Sequence, residues 1–206
     1  MIIHGTTLAT NALIERRGAK TAFITTEGFR DVLEMRTENR FEQYDLNITL
    51  PKPLIARPDR FTLSERIGAK GQVLKPLNVE EANALVSQIR DGGYTSVAIG
   101  FMHSYLNGEH ESMVRDILME HLPELSVSIS SEVSPQMREF ERFNTVFANA
   151  YVRPVMESYL HSLVDRLKEP GMHCPLFMFH PGGHRNTVVW GNVVHLGGAV
   201  RIKKKN

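Results

Sequence analysis

The stretch from residue 78 to residue 129 constrains the fold most, because its apolar residues change period three times. Apolar residues recur at helical spacing over 79–89, run continuously over 97–101, return to helical spacing over 113–118 and end in a strand pattern at 127–129. A continuous apolar run is typical of a strand buried on both faces, and an apolar stripe of a surface helix. Because the connections are long enough to cross over, this alternation predicts a parallel sheet covered by helices. The expected class is α/β.

The first of these helices has clear sequence signals at both ends. Asn78 precedes it and Glu81 follows three positions later, which resembles a capping box, and Gly92-Gly93 ends the stripe. A helix between these signals is therefore expected.

Two strand-to-helix turns are predicted near the N-terminus. Residues 2–3 are apolar and lead into His4-Gly5-Thr6-Thr7, after which helical spacing begins. Residues 21–25 are again β-prone, and the sequence Thr-Thr-Glu-Gly-Phe-Arg-Asp at 25–31 repeats the pattern. Each turn marks a unit in which a strand leads directly into a helix.

These turns have a functional and a structural interpretation. Backbone N–H groups and hydroxyls at such a turn can hold an anion. The structural alternative is that Thr6 or Thr7 only caps the helix and Gly5 only permits the turn. In the second turn, Arg30 either clamps a carboxylate or a neighbouring chain, or forms a solvated pair with Asp31.

Other segments give weaker predictions. Alternating apolar residues at 61, 63 and 67, separated by 68–71 from Val73 and Leu74, predict an antiparallel hairpin. Residues 37–59 are expected to form a long ordered loop. A polar helix is predicted at 136–149, followed by a separate helix that starts at Pro154 and ends at Gly171, and then by a strand at 176–179.

Composition excludes several classes of protein. The chain has 206 residues, with 24 basic and 23 acidic side chains. Four of the basic residues lie in the last six positions, which leaves 20 basic against 23 acidic residues in positions 1–200, so no nucleic-acid surface is expected. No apolar run approaches the roughly 18 residues that a membrane span needs. A single cysteine, Cys174, and the absence of a signal peptide indicate a cytoplasmic protein.

Isolated reactive residues carry little chemistry by themselves. His180 and His184 have ligand spacing, but Pro-Gly-Gly lies between them and breaks the helix that a metal pair needs, so no metal site is predicted. His103-Ser104 is interpreted as a polar strand end and Cys174 as a packed residue. The charge cluster at residues 138–142 is interpreted as a solvated helix face or a subunit contact.

An ordered series of short motifs carries a family resemblance. The motifs are His4-Gly5-Thr6-Thr7, Ala-Thr-Asn-Ala-Leu at 9–13, Glu-Arg-Arg-Gly-Ala at 15–19, and further matches at 25–34, 44–46, 65–66, 71–74, 103–105, 130–133, 138–142 and 149–156. Together they resemble the N-terminal region of the hydantoinase A and 5-oxoprolinase family, from residue 1 to about residue 183. The resemblance implies a fragment of an actin-like ATPase fold, with a partly parallel sheet, covering helices and a β-hairpin subdomain.

The resemblance also implies a function. Members use ATP and Mg²⁺ to open a cyclic amide, such as a hydantoin, an N-methylhydantoin or 5-oxoproline, and work with a hydantoinase B-type subunit or region. The residues that match the motif and are expected to border the cleft are His4, Gly5, Thr6, Thr7 and Asn11, supported by Glu27, Arg30 and Asp31. Related acetone or acetophenone carboxylase subunits and a non-catalytic subunit-interaction module remain alternatives.

The sequence departs from the family at both ends. Only three residues precede the His-Gly-Thr-Thr turn, whereas the family has a Gly-rich phosphate hairpin earlier, and no such hairpin occurs in this chain. We therefore expect the chain by itself to be inactive and to bind ATP weakly or not at all. The implied domains are an N-terminal α/β region at 1–150, the start of the hydantoinase A domain at 151–183, and a divergent tail at 184–206.

Overall fold

The computed structural model describes residues 2–37, 44–45, 47–48, 51–168, 176–179 and 185–187. The strands are β1 (Ile2–Gly5), β2 (Thr21–Thr26), β3 (Arg60–Leu63), β4 (Arg66–Ile67), β5 (Val73–Lys75), β6 (Ser96–Gly100), β7 (Ser126–Ile129), β8 (Leu176–Phe179) and β9 (Arg185–Thr187). The helices are α1 (Leu8–Ile14), α2 (Val32–Met35), α3 (Val79–Asp91), α4 (Glu109–His121), α5 (Ser130–Val133) and α6 (Glu139–Lys168), with a 3-10 turn at Arg57–Asp59. The predicted α/β class is confirmed.

The central sheet has four parallel strands in the order β3-β2-β6-β7. The two middle strands, β2 and β6, are buried along their whole length because both faces of the sheet are covered, as the continuous apolar run at 97–101 predicts for β6. One face packs against α3 and α4 and the other against α6. The first layer contains Ala22, Ile24, Leu85, Val86, Ile89, Val97, Ile99, Val114 and Leu118, and the second contains Phe23, Ala98, Phe143, Val146, Phe147 and Ala150.

The chain leaves the two middle strands in opposite directions. From β2 it continues to β3 at one edge, and from β6 it continues to β7 at the other edge. In open α/β sheets, ligand sites lie outside the carboxyl ends of strands at such a switch point. The carboxyl ends of β2 and β6 are therefore a candidate location for a site.

The first strand lies in another sheet. β1 pairs in parallel with β8, and β8 pairs antiparallel with β9. Helix α1 follows β1 and packs its buried Ala12 against Val152 and Met156 of α6. The two N-terminal strand-to-helix turns are thus built on different sheets.

The hairpin is confirmed in a shorter form than predicted. Strands β4 and β5 are antiparallel, and Gly71 has a φ of +79°, which favours glycine in the turn. Phe61 and Leu63, however, belong to β3 of the parallel sheet. An alternating pattern marks a strand with one buried face in either kind of sheet, so it does not reveal the strand direction.

Helix α3 begins and ends as predicted. The Asn78 side chain accepts hydrogen bonds from the backbone N–H groups of Glu80 and Glu81. In a standard capping box the Glu81 carboxylate would accept from the backbone N–H of Asn78. Here it accepts instead from the backbone N–H of Ser64 at 2.9 Å and from the side-chain amide of Asn78 at 2.9 Å. The cap thereby ties the helix to the end of β3.

The prediction of two helices around Pro154 is wrong. Helix α6 runs without a break for 30 residues, with Pro154 inside it. Proline removes the N–H that would bond to the carbonyl four residues earlier, which belongs to Ala150. The Ser96 hydroxyl lies 2.7 Å from that carbonyl oxygen and replaces the missing donor. Helix α6 also runs through the predicted domain boundary between residues 150 and 151. The division of the chain into domains stays a prediction.

Several sequence predictions fall on residues outside the described ranges. These are Cys174, the pair His180 and His184, the Gly171 helix end, most of the tail at 184–206 and part of the loop at 37–59. Within the described ranges, none of the helices combines the length and the apolar character that crossing a membrane requires.

Candidate functional site

The first turn joins His4 to the distant helix α6. The Nε2 atom of His4 lies 2.5 Å from the hydroxyl oxygen of Tyr159, and both side chains are partly buried. The ring centroids are 5.8 Å apart. Tyr159 was not predicted as a site residue, because 155 positions separate it from His4 and nothing in its local sequence marks it.

The remaining residues of the first turn are more open. The Thr6 hydroxyl oxygen accepts a hydrogen bond from the backbone N–H of Leu8 at 3.1 Å. Thr7 occupies the N-cap position of α1 without a side-chain cap hydrogen bond. Gly5, Thr7 and Asn11 are exposed, so solvent reaches three of the five predicted residues.

The second turn is organised by Arg57. Its guanidinium donates two hydrogen bonds to the Asp31 carboxylate, at 2.7 and 2.9 Å. The Arg57 hydrogen bond lowers the pKa of Asp31, and the same bond raises the pKa of Arg57. Asp31 therefore pairs with Arg57, while the Nη2 group of Arg30 donates to the Arg57 carbonyl at 2.8 Å. The predicted solvated pair between Arg30 and Asp31 is not the contact that forms.

The other predicted residue of this turn, Glu27, is exposed and lies 3.6 Å from the Lys75 ammonium. Gly28 beside it has a φ of +85°. The first turn thus receives its support from α6, and the second from the 3-10 turn and the β4–β5 hairpin. The structure does not by itself join the two groups into one site.

A buried polar network lies at the carboxyl edge of the central sheet. The Glu65 carboxylate, which follows β3, accepts from the Thr26 hydroxyl at the end of β2 and lies 2.7 Å from Nδ1 of His110 on α4. The backbone N–H of Met102 in turn donates to the Thr26 hydroxyl oxygen at 3.0 Å. Glu65 is only 2% exposed and His110 only 4%. These contacts hold together the ends of β2, β3 and β6.

Glu111 forms the next part of this network. Its carboxylate accepts from the backbone N–H of Phe101 at 2.9 Å, from the Ser130 hydroxyl at 2.6 Å and from the backbone N–H of Ser131 at 2.8 Å. A buried carboxylate is costly unless hydrogen-bond donors surround it, and three donors do so here. Glu111 therefore joins the turn after β6 to the start of α5.

Arg142 completes the network from α6. Its guanidinium donates to the carbonyl oxygens of Phe101 at 2.8 Å and Gln136 at 3.0 Å, and to the Ser130 hydroxyl at 3.1 Å. The side chain is fully buried, whereas Arg138 and Glu141 of the same charge cluster are exposed. The interpretation of residues 138–142 as a solvated face is thus wrong for Arg142.

His103 lies just beyond the end of β6, in the turn that follows. It has a φ of +56°, uncommon for a residue other than glycine. Its Nδ1 atom is buried without a hydrogen-bond partner among the described residues. Ser104 is buried, with its hydroxyl 3.0 Å from that of Ser130. The predicted polar strand end is therefore an irregular turn that contacts the first residue of α5.

The polar groups of this network hydrogen-bond to one another, so the network acts as a structural clamp between the strand ends. Sequence periodicity missed it, although polar residues directly after buried strands were a usable signal. Among the residues that the structure describes, no group of three or more His, Cys, Asp or Glu side chains could hold a metal ion.

Comparison with known proteins gives consistent matches. Residues 1–122 match the hydantoinase/oxoprolinase N-terminal region family. The caprolactamase subunit alpha of Pseudomonas jessenii is 33% identical over 185 residues, covering 89% of this chain and 27% of the relative. The 5-oxoprolinase of Saccharomyces cerevisiae is 33% identical over 204 residues, covering 87% of this chain and 16% of the relative. The chain thus spans about a quarter or less of these relatives.

Two solved structures share the fold. The ATP-dependent caprolactamase from Pseudomonas jessenii superposes with a TM-score of 0.80 at 34% identity, over 86% of this chain and 26% of that one. The nucleotide-free acetone carboxylase superposes with a TM-score of 0.78 at 23% identity, over 90% of this chain and 28% of that one, which concerns the fold alone. The acetophenone carboxylase gamma subunit of Aromatoleum aromaticum is 29% identical over 196 residues, covering 89% of this chain and 27% of the subunit. These agreements confirm the expected membership in the actin-like ATPase fold.

Proposed function

Because this chain belongs to the hydantoinase/oxoprolinase N-terminal region family, we propose that it is a segment of an ATP-dependent hydrolase that opens a cyclic amide. The observation that carries the proposal is the match to an ATP-dependent caprolactamase in both sequence and fold. The yeast 5-oxoprolinase supports the same substrate class, since its name also denotes action on a lactam. The proposed substrate is therefore a ring amide.

The proposed reaction uses ATP to activate a poor electrophile. The amide carbonyl oxygen attacks the γ-phosphorus, and the bond from that phosphorus to the ADP oxygen breaks. Water attacks the activated carbon, the C–N bond breaks, and nitrogen takes a proton. A second water attacks the carbonyl carbon of the resulting acyl phosphate, the bond from that carbon to the original carbonyl oxygen breaks, and this oxygen leaves with the phosphate. Phosphoryl transfer needs positioning and neutralisation of charge more than covalent help from the protein.

Within this chain, the first turn is proposed to border the cleft. Gly5, Thr7 and Asn11 are exposed there, and the His4 ring contacts the hydroxyl of Tyr159 through Nε2. Exposed backbone and hydroxyl groups beside an imidazole suit an oxygen-rich ligand such as a phosphate or an amide carbonyl. Glu27, Arg30 and Asp31 are proposed as support on the neighbouring sheet edge.

ATP and Mg²⁺ are proposed to act in the complete enzyme. The first-turn residues offer hydrogen-bond donors for a phosphate, but the described residues provide no carboxylate cluster for a cation. We also expect the 206-residue chain to bind ATP weakly or not at all. Calorimetry with MgATP tests this expectation, and a micromolar affinity would contradict it.

A partner subunit is also proposed. Relatives of this chain are named as subunits, alpha in caprolactamase and gamma in acetophenone carboxylase. The family resemblance points to a hydantoinase B-type subunit or region as the specific partner. We also propose that the enzyme acts in the cytoplasm.

The direct test is an assay of the complete enzyme together with its partner subunit. Addition of caprolactam or 5-oxoproline should start the release of ADP and of the ring-opened amino acid in equal amounts. Alanine at both Thr6 and Thr7 should lower this turnover. Unchanged turnover would contradict the proposal that the first turn borders the cleft.

The assay also separates the alternatives. A carboxylase subunit, favoured by the acetophenone carboxylase relative, requires bicarbonate and a ketone for ADP release. A non-catalytic interaction module would bind the partner subunit without ATP turnover under any of these conditions.

A further inference from the structure

We infer that Tyr159 is a positioning residue, which sets the orientation and the tautomer of His4 by donating its hydroxyl proton to Nε2. The two atoms are 2.5 Å apart, and the ring planes are tilted by 33°. Neither the family match nor the relatives assign a role to either residue.

Tyr159 is held on a rigid element. It lies on α6, whose buried residues Met156 and Leu160 flank it in sequence. Met156 packs with Val152 against Ala12 of α1, the helix that directly follows the His4 turn. The hydroxyl therefore approaches His4 from a helix that is packed against the same short unit, so its position relative to the turn is fixed.

The direction of the hydrogen bond follows from the chemistry of the two groups. A phenol is a good donor and a weak acceptor, because its oxygen lone pair is delocalised into the ring. A neutral imidazole carries one bare nitrogen, which is a good acceptor, and one N–H, which is a donor. The favoured arrangement is O–H donating to Nε2, and the hydrogen bond at one ring nitrogen decides where the ring proton lies. The ring proton is then on Nδ1.

This arrangement defines what His4 can do. With Nε2 occupied, a neutral His4 offers one N–H donor, at Nδ1, and no free basic nitrogen. It can donate to an oxygen of a phosphate or of an amide carbonyl, and it cannot take a proton from water. The consequence for catalysis rests on the proposed function, because only a ligand in the first turn would use this donor.

Nitrogen NMR of this 206-residue chain, labelled with ¹⁵N-histidine, tests the inference without any activity assay. At a pH where His4 is neutral, the expected result is a protonated Nδ1 and a bare, hydrogen-bonded Nε2. A protonated Nε2 in the native chain would overturn the inference directly. In Tyr159→Phe the signals should move toward a mixture of tautomers, and unchanged signals would also overturn it.

Tyr151→Phe is the matched control. Tyr151 lies on the same helix and is partly buried, but its ring lies against Gly18 rather than His4. This variant should leave the His4 nitrogen shifts as they are in the native chain. A shift equal to that of Tyr159→Phe would show a general effect of loosening α6 and would overturn the inference.

A second readout uses the complete enzyme. Tyr159→Phe should lower kcat by roughly tenfold, the lower end of the loss seen when a metal-bound histidine loses the partner that orients it. The double variant with His4→Ala and Tyr159→Phe should be little slower than His4→Ala alone, because both side chains act through one ring. Additive losses would contradict a positioning role. A complete enzyme that opens no cyclic amide contradicts the proposed function, while the nitrogen shifts decide the role of Tyr159 independently.

Discussion

The Ser96 hydroxyl on β6 lies 2.7 Å from the Ala150 carbonyl oxygen on α6. This carbonyl is the one that Pro154 leaves without a helical donor. The same hydroxyl lies 3.1 Å from the Ser126 carbonyl oxygen, and since it has one proton, the shorter contact is taken as the donated bond. A single serine in the central sheet thus allows a 30-residue helix to continue through a proline.

This relationship predicts an interaction between two substitutions. Ser96→Ala should lower the free energy of unfolding by about 1–2 kcal/mol, because it leaves a buried carbonyl unsatisfied. In a Pro154→Ala background the new backbone N–H can serve Ala150, so the same serine substitution should cost clearly less. Urea unfolding of the four proteins in the cycle measures the difference. Equal losses in both backgrounds would show that Ser96 does not compensate for Pro154, and exposed Ser87→Ala provides the control.

The Glu65 network predicts a large loss of stability on truncation. Glu65→Ala removes the partner of the Thr26 hydroxyl and of His110 Nδ1, all in a buried environment. We expect the free energy of unfolding to fall by about 3 kcal/mol. Glu80→Ala, at an exposed position of α3, is the control in the same urea experiment. A Glu65→Ala protein as stable as the control would contradict the clamp described above.

Packing at the end of β6 predicts an effect of adding one methyl group. A Cβ at Gly100 would lie 2.6 Å from the Phe143 ring and 3.1 Å from the Phe23 ring. Gly100→Ala should therefore cost about 2 kcal/mol through overpacking. Phe143→Leu in the same chain should recover part of that loss, as measured by thermal unfolding. Losses that simply add would mean that the two positions do not compete for space.

The acid stability of the chain should depend on Glu34. The side-chain hydrogen bond from the buried Arg60 is the main cause that lowers the pKa of Glu34 below its ordinary value of 4.5. A carboxylate with a lowered folded-state pKa contributes stability above pH 4.5, and this contribution is lost as the pH falls through the folded-state value. Glu34→Gln should therefore show a smaller loss of stability between pH 5 and pH 3 than the native chain. Identical pH profiles would contradict this, and Glu80→Gln is the matched control.

Much of the fold was predictable because its signals are local. The stripe at 79–89 and the run at 97–101 gave a helix and a buried strand, since burial on one or two faces leaves a direct record in the sequence. The Pro154 boundary failed because the compensating donor, Ser96, lies 54 positions before Ala150, whose carbonyl oxygen it serves. Likewise β3 alternates like a hairpin strand, and only its partner β2 reveals that it is parallel.

The site was predictable only in its exposed part. The His4 turn could be singled out because a glycine and hydroxyl residues stand between a strand and a helix. Tyr159, Glu65 and Arg142 act through contacts between elements far apart in sequence, and a helix face with Arg142 looks the same in sequence whether it is solvated or buried. Long-range pairing of polar groups leaves no periodic pattern.

The fate of the amide oxygen tests the central proposal most directly. A cyclic amide labelled with ¹⁸O at its carbonyl is incubated with ATP and the complete enzyme, and the phosphate and the ring-opened acid are analysed by mass spectrometry. If ATP activates the carbonyl oxygen, one labelled oxygen should appear in each inorganic phosphate formed. Unlabelled phosphate, with all the label kept in the carboxylate of the product, would contradict the account.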